Sequence, residues 1–149
     1  MTLPAIRAAR PADLAGILEL YQHLNADDPT PEPAKVEAAW ASLVRAEGIT
    51  ILVTEMAGVL VATATLVVIP NLTRGTQPYA LIENVVSHRA HRGQGLGRGI
   101  LRAALDAAWQ AGCYKVMLVT GSTREETWRF YEGLGFRRNG KTFFEIRPA

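Results

Sequence analysis

Cysteine is nearly absent from this chain of 149 residues, where Cys113 stands alone. One thiol closes no internal disulfide, so a packed core must hold the fold, and a reducing, cytoplasmic setting is expected. Long apolar runs are missing too. The longest, from about Val59 to Ile69, is broken by Thr63 and Thr65. It falls short of the roughly 20 residues a membrane-spanning helix needs, so no membrane association is expected. The N-terminus lacks the charged-then-apolar pattern of a signal peptide. Histidines are few, and His23, His88 and His91 have no metal-ligand spacing, so no metal is expected. Net charge is only +2 although the pI is near 8.9, which gives little ground for a nucleic-acid partner, and none is expected.

What is present is ordinary globular composition, 48% hydrophobic and 20% charged, enough for one domain over residues 1–149 with a real core. Arginines greatly outnumber lysines, and Arg89, Arg92, Arg98 and Arg102 crowd one stretch. Guanidinium groups offer planar, bidentate donors that suit phosphate; a solvated basic face is the plainer reading.

The pattern along the chain is mixed. Thr2 to Arg7 reads as a short strand. A helix opens after Pro11, with Leu14, Ile17, Leu18 and Tyr21 at helical spacing. A turn-rich loop runs from Asn25 to Pro33, and a second amphipathic helix from Ala34 to Ala46. Strands follow at Ile51 to Glu55, Val59 to Val68 and Tyr79 to His88, with Gly58 as a tight turn and residues 70–78 as a loop. A helix is expected from Leu96 to Ala111, ended by Gly112, then a strand from Lys115 to Thr120 and a helix from Arg124 to Leu134, ended by Gly135. Phe136 to Arg138 and Phe143 to Arg147 read as closing strands. The order β-α-α-β-β-β-α-β-α-β-β predicts a mixed sheet with helices on its faces, not a doubly wound fold.

The central feature is the stretch Arg92-Gly93-Gln94-Gly95-Leu96-Gly97-Arg98, between a strand and a helix. Glycines there admit positive φ and let a ligand approach the backbone. The N–H groups of a helix start favour an anion, and a pyrophosphate is the natural guest. The turn lacks the Gly-Lys-Ser/Thr of a P-loop. It also fails the dinucleotide fingerprint, because Ile100 stands at the last glycine position and no acidic residue lies about 20 residues on. It fits Arg-x-x-Gly-x-Gly at Arg92, Gly95 and Gly97.

With that turn, and with Phe130-Tyr131-Glu132-Gly133-Leu134-Gly135-Phe136 about 35 residues further on, the chain resembles the GCN5-related N-acetyltransferase (GNAT) family over nearly its whole length. The resemblance implies an α/β fold of the α+β kind: a mostly antiparallel mixed sheet, helices on both faces, and strands four and five splayed at a bulge. It implies acetyl-CoA as acyl donor, with the amides of Gly93, Gln94, Gly95, Leu96, Gly97 and Arg98 on the pyrophosphate and Val85 and Val86 along the pantetheine arm. Many members place an asparagine shortly before the tyrosine; here residues 122–127 have none.

Acyl transfer to an amine needs a neutral amine, a donor for the oxyanion and a proton for the departing thiolate. Neutralising a lysine-like amine at pH 7 costs roughly 4–5 kcal/mol. Glu83, mid-strand in an apolar run, is the candidate base; its plainer reading is a solvated or salt-bridged carboxylate. Asn84 is a candidate for orienting water or substrate. Tyr131 is the candidate acid, since a phenol and a thiol have similar pKa values; without the resemblance it reads as a core aromatic. A backbone amide at Val85 or Val86 would meet the oxyanion.

For the acceptor, Ile82 to Val86 and Gly112 to Val116 are similar to the glucosamine-6-phosphate branch of that family, except that Asn84 stands where the branch has an acid. Asp27, Asp28 and Glu32 on one loop favour a cationic amine, and Arg74 on another favours a carboxylate or phosphate. A small-molecule primary amine is the leading expectation. Protein N-terminal or lysine acetylation, and a non-catalytic acyl-CoA-binding domain, are the alternatives. Phe143, Phe144 and Ile146 offer a surface for a homodimer.

Overall fold

The computed structural model describes residues 4–149. The start of the first expected strand, Thr2 and Leu3, lies outside them. Contacts divide the chain into two compact units, one ending at Val119 and one from Thr120 to Ala149.

The first unit is a five-stranded sheet in the order β1-β2-β3-β4-β5. Its strands are β1 (Ile6–Ala8), β2 (Ile49–Met56), β3 (Val59–Ile69), β4 (Tyr79–Ser87) and β5 (Val116–Leu118). The first four pair antiparallel, and β5 lies parallel to β4. The β2–β3 hairpin turns through Ala57 and Gly58, both at positive φ (49° and 80°), the geometry of a two-residue hairpin loop. The parallel β4–β5 pair needs a crossover, which α3 (Leu96–Gln110) supplies.

Alternation along the strands sends side chains to two covered faces. On one, Ile51, Val53, Leu60 and Val86 pack with Ile17 and Leu20 of α1 (Leu14–Gln22) and Trp40 of α2 (Pro33–Leu43). On the other, Leu52, Ala62, Ala64, Leu66, Ala80 and Ile82 are buried where α3 crosses β2, β3 and β4, presenting Leu96, Ile100, Leu101, Ala104 and Ala108. Small residues in the sheet let this helix approach closely.

The entry to α1 is fixed by charge. The Asp13 carboxylate accepts both guanidinium arms of Arg7, at 2.7 and 3.0 Å, and the Arg10 amide at 2.6 Å. Arg7 reaches on to Glu55 of β2 at 2.7 Å. These bonds hold the Asp13 carboxyl below its usual range, the Arg7 contact being the largest cause. Trp40 Nε1 donates to the Pro11 carbonyl at 2.9 Å and ties α2 to the same corner.

The second unit holds α4 (Glu125–Glu132) and the chain's end. The two expected closing strands do not form: residues 136–149 carry no ladder pairing among the described residues. Alternating apolar residues suggested strands, but a strand exists only through its pairing. Phe144 and Ile146 are 86% and 95% exposed, so the segment gains no packing that would fix it as one.

Candidate functional site

The sheet breaks its own rules midway along β4. Its register with β3 pairs Thr65 with Glu83 but Thr63 with Val86, so Asn84 and Val85 both stand opposite Ala64. This is a β-bulge, and Asn84 adopts the left-handed conformation it requires, at φ 51°. Asparagine tolerates that region better than most residues, at a cost of about 1 kcal/mol. The extra residue resets the alternation. Glu83 and Asn84 are both exposed, while Val86 turns into the α1–α2 core at 5% exposure.

The parallel ladder stops at the same place. β4 and β5 pair at Ala80, Leu81 and Ile82 and no further, while β4 runs on to Ser87. The strands part at Glu83. Backbone direction follows from two hydrogen bonds. The Ala80 amide points to β5, donating to the Lys115 carbonyl at 3.0 Å. The His88 amide points the other way, donating to the Val61 carbonyl of β3 at 2.8 Å. Counting back from His88 by the strand period, the Val86 amide also faces β3, and those of Val85 and Ser87 face the gap that β5 leaves.

Beyond Ser87 the chain makes a 3-10 turn (Arg89–His91) and enters the glycine turn. Gly93 and Gly95 both sit at φ 79°, and Gly95 is the left-handed N-cap of α3, with no side chain capping it. A Cβ on Gly93 would touch nothing within 4 Å, and residues 92–95 are exposed. The first intrahelical bond is Gly99 N–H to the Gly95 carbonyl at 2.9 Å, which leaves the first-turn amides of Leu96 and Gly97 without helical acceptors. Leu96 itself anchors the turn, its side chain 4% exposed. Bare amides, the positive end of a 15-residue helix and the Arg89 and Arg92 cations converge here, the fit a pyrophosphate demands.

Three further groups lie along β4 and just past its end, and apart from Asn84 only Arg74 among their members is singled out as a candidate by the sequence. The Tyr21 hydroxyl of α1 has Thr65 and Asn84 as its polar neighbours; burial pushes its pKa up, and those two groups oppose the rise. In the sequence Tyr21 is merely one member of an apolar stripe. The three histidines, far apart in the chain, gather into a stack: His23 lies 4.3 Å from His88, and His88 5.4 Å from His91, ring centre to ring centre. His88 Nδ1 accepts the Ala90 amide at 3.2 Å, and its Nε2 lies 3.9 Å from Glu19. No cluster of three His, Cys, Asp or Glu among the described residues is arranged to hold a metal. At the far end of β4, Lys115 Nζ lies 5.4 Å from the ring centres of Tyr79 and Tyr114, with Arg74 5.9 Å from Tyr114. β4 is nine residues long, so roughly 30 Å of strand separates Arg74 from the glycine turn. Glu83, Asn84 and Val85 lie between.

Tyr131 belongs to the second unit, where its surroundings follow from the glycine after it. Gly135 takes φ 96°, its amide bonds to the Glu132 carbonyl at 2.9 Å, and the Phe136 amide to the Tyr131 carbonyl at 3.3 Å. This pair of bonds is the Schellman closure of a helix. It folds Phe136 back edge-on to the Tyr131 ring at 6.1 Å, with Phe130 at 5.2 Å on another side. Burial raises the Tyr131 phenol, which therefore keeps its proton at neutral pH. In the same unit Trp128 Nε1 donates to the Ser122 carbonyl at 2.8 Å and carries Arg138 over its ring at 4.6 Å.

A splayed parallel pair, a bulge at the splay and a bare-amide helix mouth after it make the scaffold of an acetyl-transferring enzyme. The model of the Acetyltransferase (GNAT) family matches residues 17–136, and the chain belongs to that family. Its members draw the acetyl group from acetyl-CoA. The chain is 35% identical over 135 residues to the glucosamine 6-phosphate N-acetyltransferase of Trypanosoma brucei brucei, covering 89% of this chain and 88% of that one. In structure it is similar to a protein from Agrobacterium tumefaciens described as an acetyltransferase, with TM-score 0.92 and 49% identity over 97% of this chain and 99% of that one. It is also similar to an acetyltransferase of Trypanosoma brucei, with TM-score 0.80 and 32% identity over 96% and 99%.

Proposed function

We propose that this chain acetylates the primary amine of a small molecule that also carries an anionic group, by direct attack in a ternary complex with acetyl-CoA. The observation that carries the reading is the open edge of β4 at the bulge, followed after one 3-10 turn by the α3 mouth, where the amides of Leu96 and Gly97 have no helical acceptor. Acetyl-CoA supplies an acyl group activated as a thioester. The amides from Gly93 to Arg98, with Arg92, would hold its pyrophosphate, and the open edge of β4 would pair with its pantetheine arm. The free direction of the Val85 amide makes Val85 the donor to the acyl oxygen. Val86, whose amide faces β3, shapes the edge through its buried side chain.

Glu83 is the general base in this reading. It stands exposed at the point where the strands part and receives the proton of the incoming ammonium, directly or through water. Tyr131, protonated at neutral pH, returns a proton to the departing thiolate. Lys115 and Arg74 favour an acceptor bearing phosphate or carboxylate. Both rest on tyrosine rings and have no carboxylate partner among the described residues, so their charge is available to a ligand. Tyr79 pairs beside Lys115 at the start of β4 and shares Glu83's face by alternation. Four residues of strand, about 13 Å, therefore separate the cations' end from the base. The similar trypanosomal enzyme is named for an amino-sugar phosphate, which has an amine and an anion of this kind. The lone buried Cys113 thiol suits a reducing, cytoplasmic setting, and the exposed Phe143, Phe144 and Ile146 suit a homodimer contact.

The deciding experiment is thiol release from acetyl-CoA across paired acceptors: glucosamine 6-phosphate against glucosamine, amino acids against their esters, and peptides. Release that follows the phosphate or carboxylate supports the reading. Equal release with the uncharged partners removes the anionic group from it, and release with peptides alone overturns the small-molecule acceptor.

A further inference from the structure

The end of β4 that faces away from the glycine turn is entered through a long loop. Residues Pro70 to Pro78 join β3 to β4, although Ile69 and Tyr79 on either side pair directly. A hairpin needs only about two to five residues there. Within the loop Arg74, Gly75 and Thr76 take positive φ in succession, at 56°, 68° and 65°. Arginine and threonine disfavour that region, so contacts outside the run must hold it. Asn71 supplies them. It is half-buried, and its side-chain amide donates to the Gln77 carbonyl at 3.1 Å, the Thr73 carbonyl at 3.0 Å and Thr73 Oγ1 at 2.9 Å. One amide therefore clasps the residue directly before the left-handed run and the residue directly after it. The loop's exit is fixed as well, because the Tyr114 amide donates to the Pro78 carbonyl at 2.9 Å. Between these two anchors Arg74 is exposed, with its guanidinium 5.9 Å from the centre of the Tyr114 ring. Lys115 Nζ approaches the same ring at 5.4 Å.

We propose that Asn71 is a positioning residue for acceptor selection: by clasping both ends of the left-handed run it holds Arg74 beside Lys115, and so sets the preference for an amine bearing phosphate or carboxylate over the same amine without one. The inference rests on the anionic-acceptor reading above and extends it to a residue that touches neither reactant. Asn71 acts through Arg74. On an unclasped loop the guanidinium keeps its charge but must be ordered each time an anion binds, which weakens binding. The chemical step is spared, because Glu83 lies about 13 Å further along the strand.

The test uses the full chain and three variants: Asn71→Ala, Arg74→Ala and the two combined. Thiol release from acetyl-CoA is followed with glucosamine 6-phosphate and with glucosamine. Asn71→Ala should raise KM for glucosamine 6-phosphate by about 10-fold, the scale of one charged contact. Its kcat with that acceptor and its KM for glucosamine should stay near wild type. Arg74→Ala should raise the same KM at least as far, and the double variant should be no worse than Arg74→Ala, because the two residues act in series. A merely structural role would lower the melting temperature and impair both acceptors alike, which overturns the proposal. So does an unchanged KM for glucosamine 6-phosphate in Asn71→Ala, or a double variant whose loss is the product of the two single losses. NMR supplies a readout free of turnover: the Arg74 side-chain signals shifted by the Tyr114 ring should move in Asn71→Ala, and unmoved signals overturn the proposal too. Equal KM for the two acceptors in wild type is a separate result, which removes the anionic group from the reading above and takes the proposal with it.

Discussion

Two of the turns that place a glycine in the left-handed region at a helix end do opposite things with it. Gly95 opens α3 and leaves the Leu96 and Gly97 amides without helical acceptors; Gly135 closes α4 and satisfies the Glu132 and Tyr131 carbonyls. At the start of a helix the unsatisfied groups are donors and the local field is positive, so an unfilled end awaits an anion. At the finish, the backbone supplies its own partners, and what remains is a rigid seat for the residues before it. In the proposed reading one glycine makes a binding surface and the other makes a foundation. The distinction lies in the helix end, not in the residue.

That contrast can be tested, beginning where the effect is largest. If the Gly135 closure serves to seat Tyr131, then Tyr131→Phe, which keeps the ring packing, should lower kcat by roughly 10²–10³-fold and leave coenzyme A affinity and melting temperature as they were. A fall in affinity would give the second turn a binding role and break the contrast. Gly95→Val should do the reverse. A β-branched residue resists φ near 79°, and distorting the bare amides should weaken coenzyme A binding by about 10–100-fold in calorimetry. A third site, outside both turns, calibrates pure stability. Asp13→Asn loses the bidentate Arg7 contact and should cost about 1–3 kcal/mol in denaturant unfolding without touching affinity. Because the folded-state pKa of Asp13 is depressed, its contribution is present above the unfolded value near 4 and is lost as pH falls through the lower folded value. Wild type should therefore lose stability on acidification that the asparagine variant no longer has to lose. The smallest effect belongs to Gly135→Ala, about 1 kcal/mol of stability for an alanine forced to positive φ, with coenzyme A binding intact.

Much of this arrangement was legible in the residues. Gly58, Gly112 and Gly135 marked turns and helix ends where the backbone indeed goes to positive φ, because few other residues tolerate those conformations. The α3 stripe of Leu96, Ile100, Leu101, Ala104 and Ala108 was readable because a buried helix face repeats locally. The glycine turn and the tyrosine motif were readable as patterns, and their geometry explains the glycines in each. What local patterns hid was contact across long sequence distance. Tyr21 meets Thr65 and Asn84, and His23 meets His88, only once α1 lies on the sheet. The opposite error occurred at Phe143 to Arg147, where a strand-like pattern has no ladder. Alternation reports which residues fit a sheet, not whether an edge is there to receive them.

The bulge on β4 carries a lesson about length. It is one surplus residue between Ile82 and Val86, and its effect is a matter of parity. Deleting that residue would restore plain alternation to the rest of the strand. Parity would then have to give way somewhere: either Val86 keeps its place in the core, or the amide toward the gap passes to a neighbour. Changing what stands at position 84 alters the stiffness of the arrangement; changing how many residues stand there alters which atoms do the work. This segment should therefore tolerate substitution far better than insertion or deletion, although it lies beside a sheet edge where chains elsewhere vary freely in length.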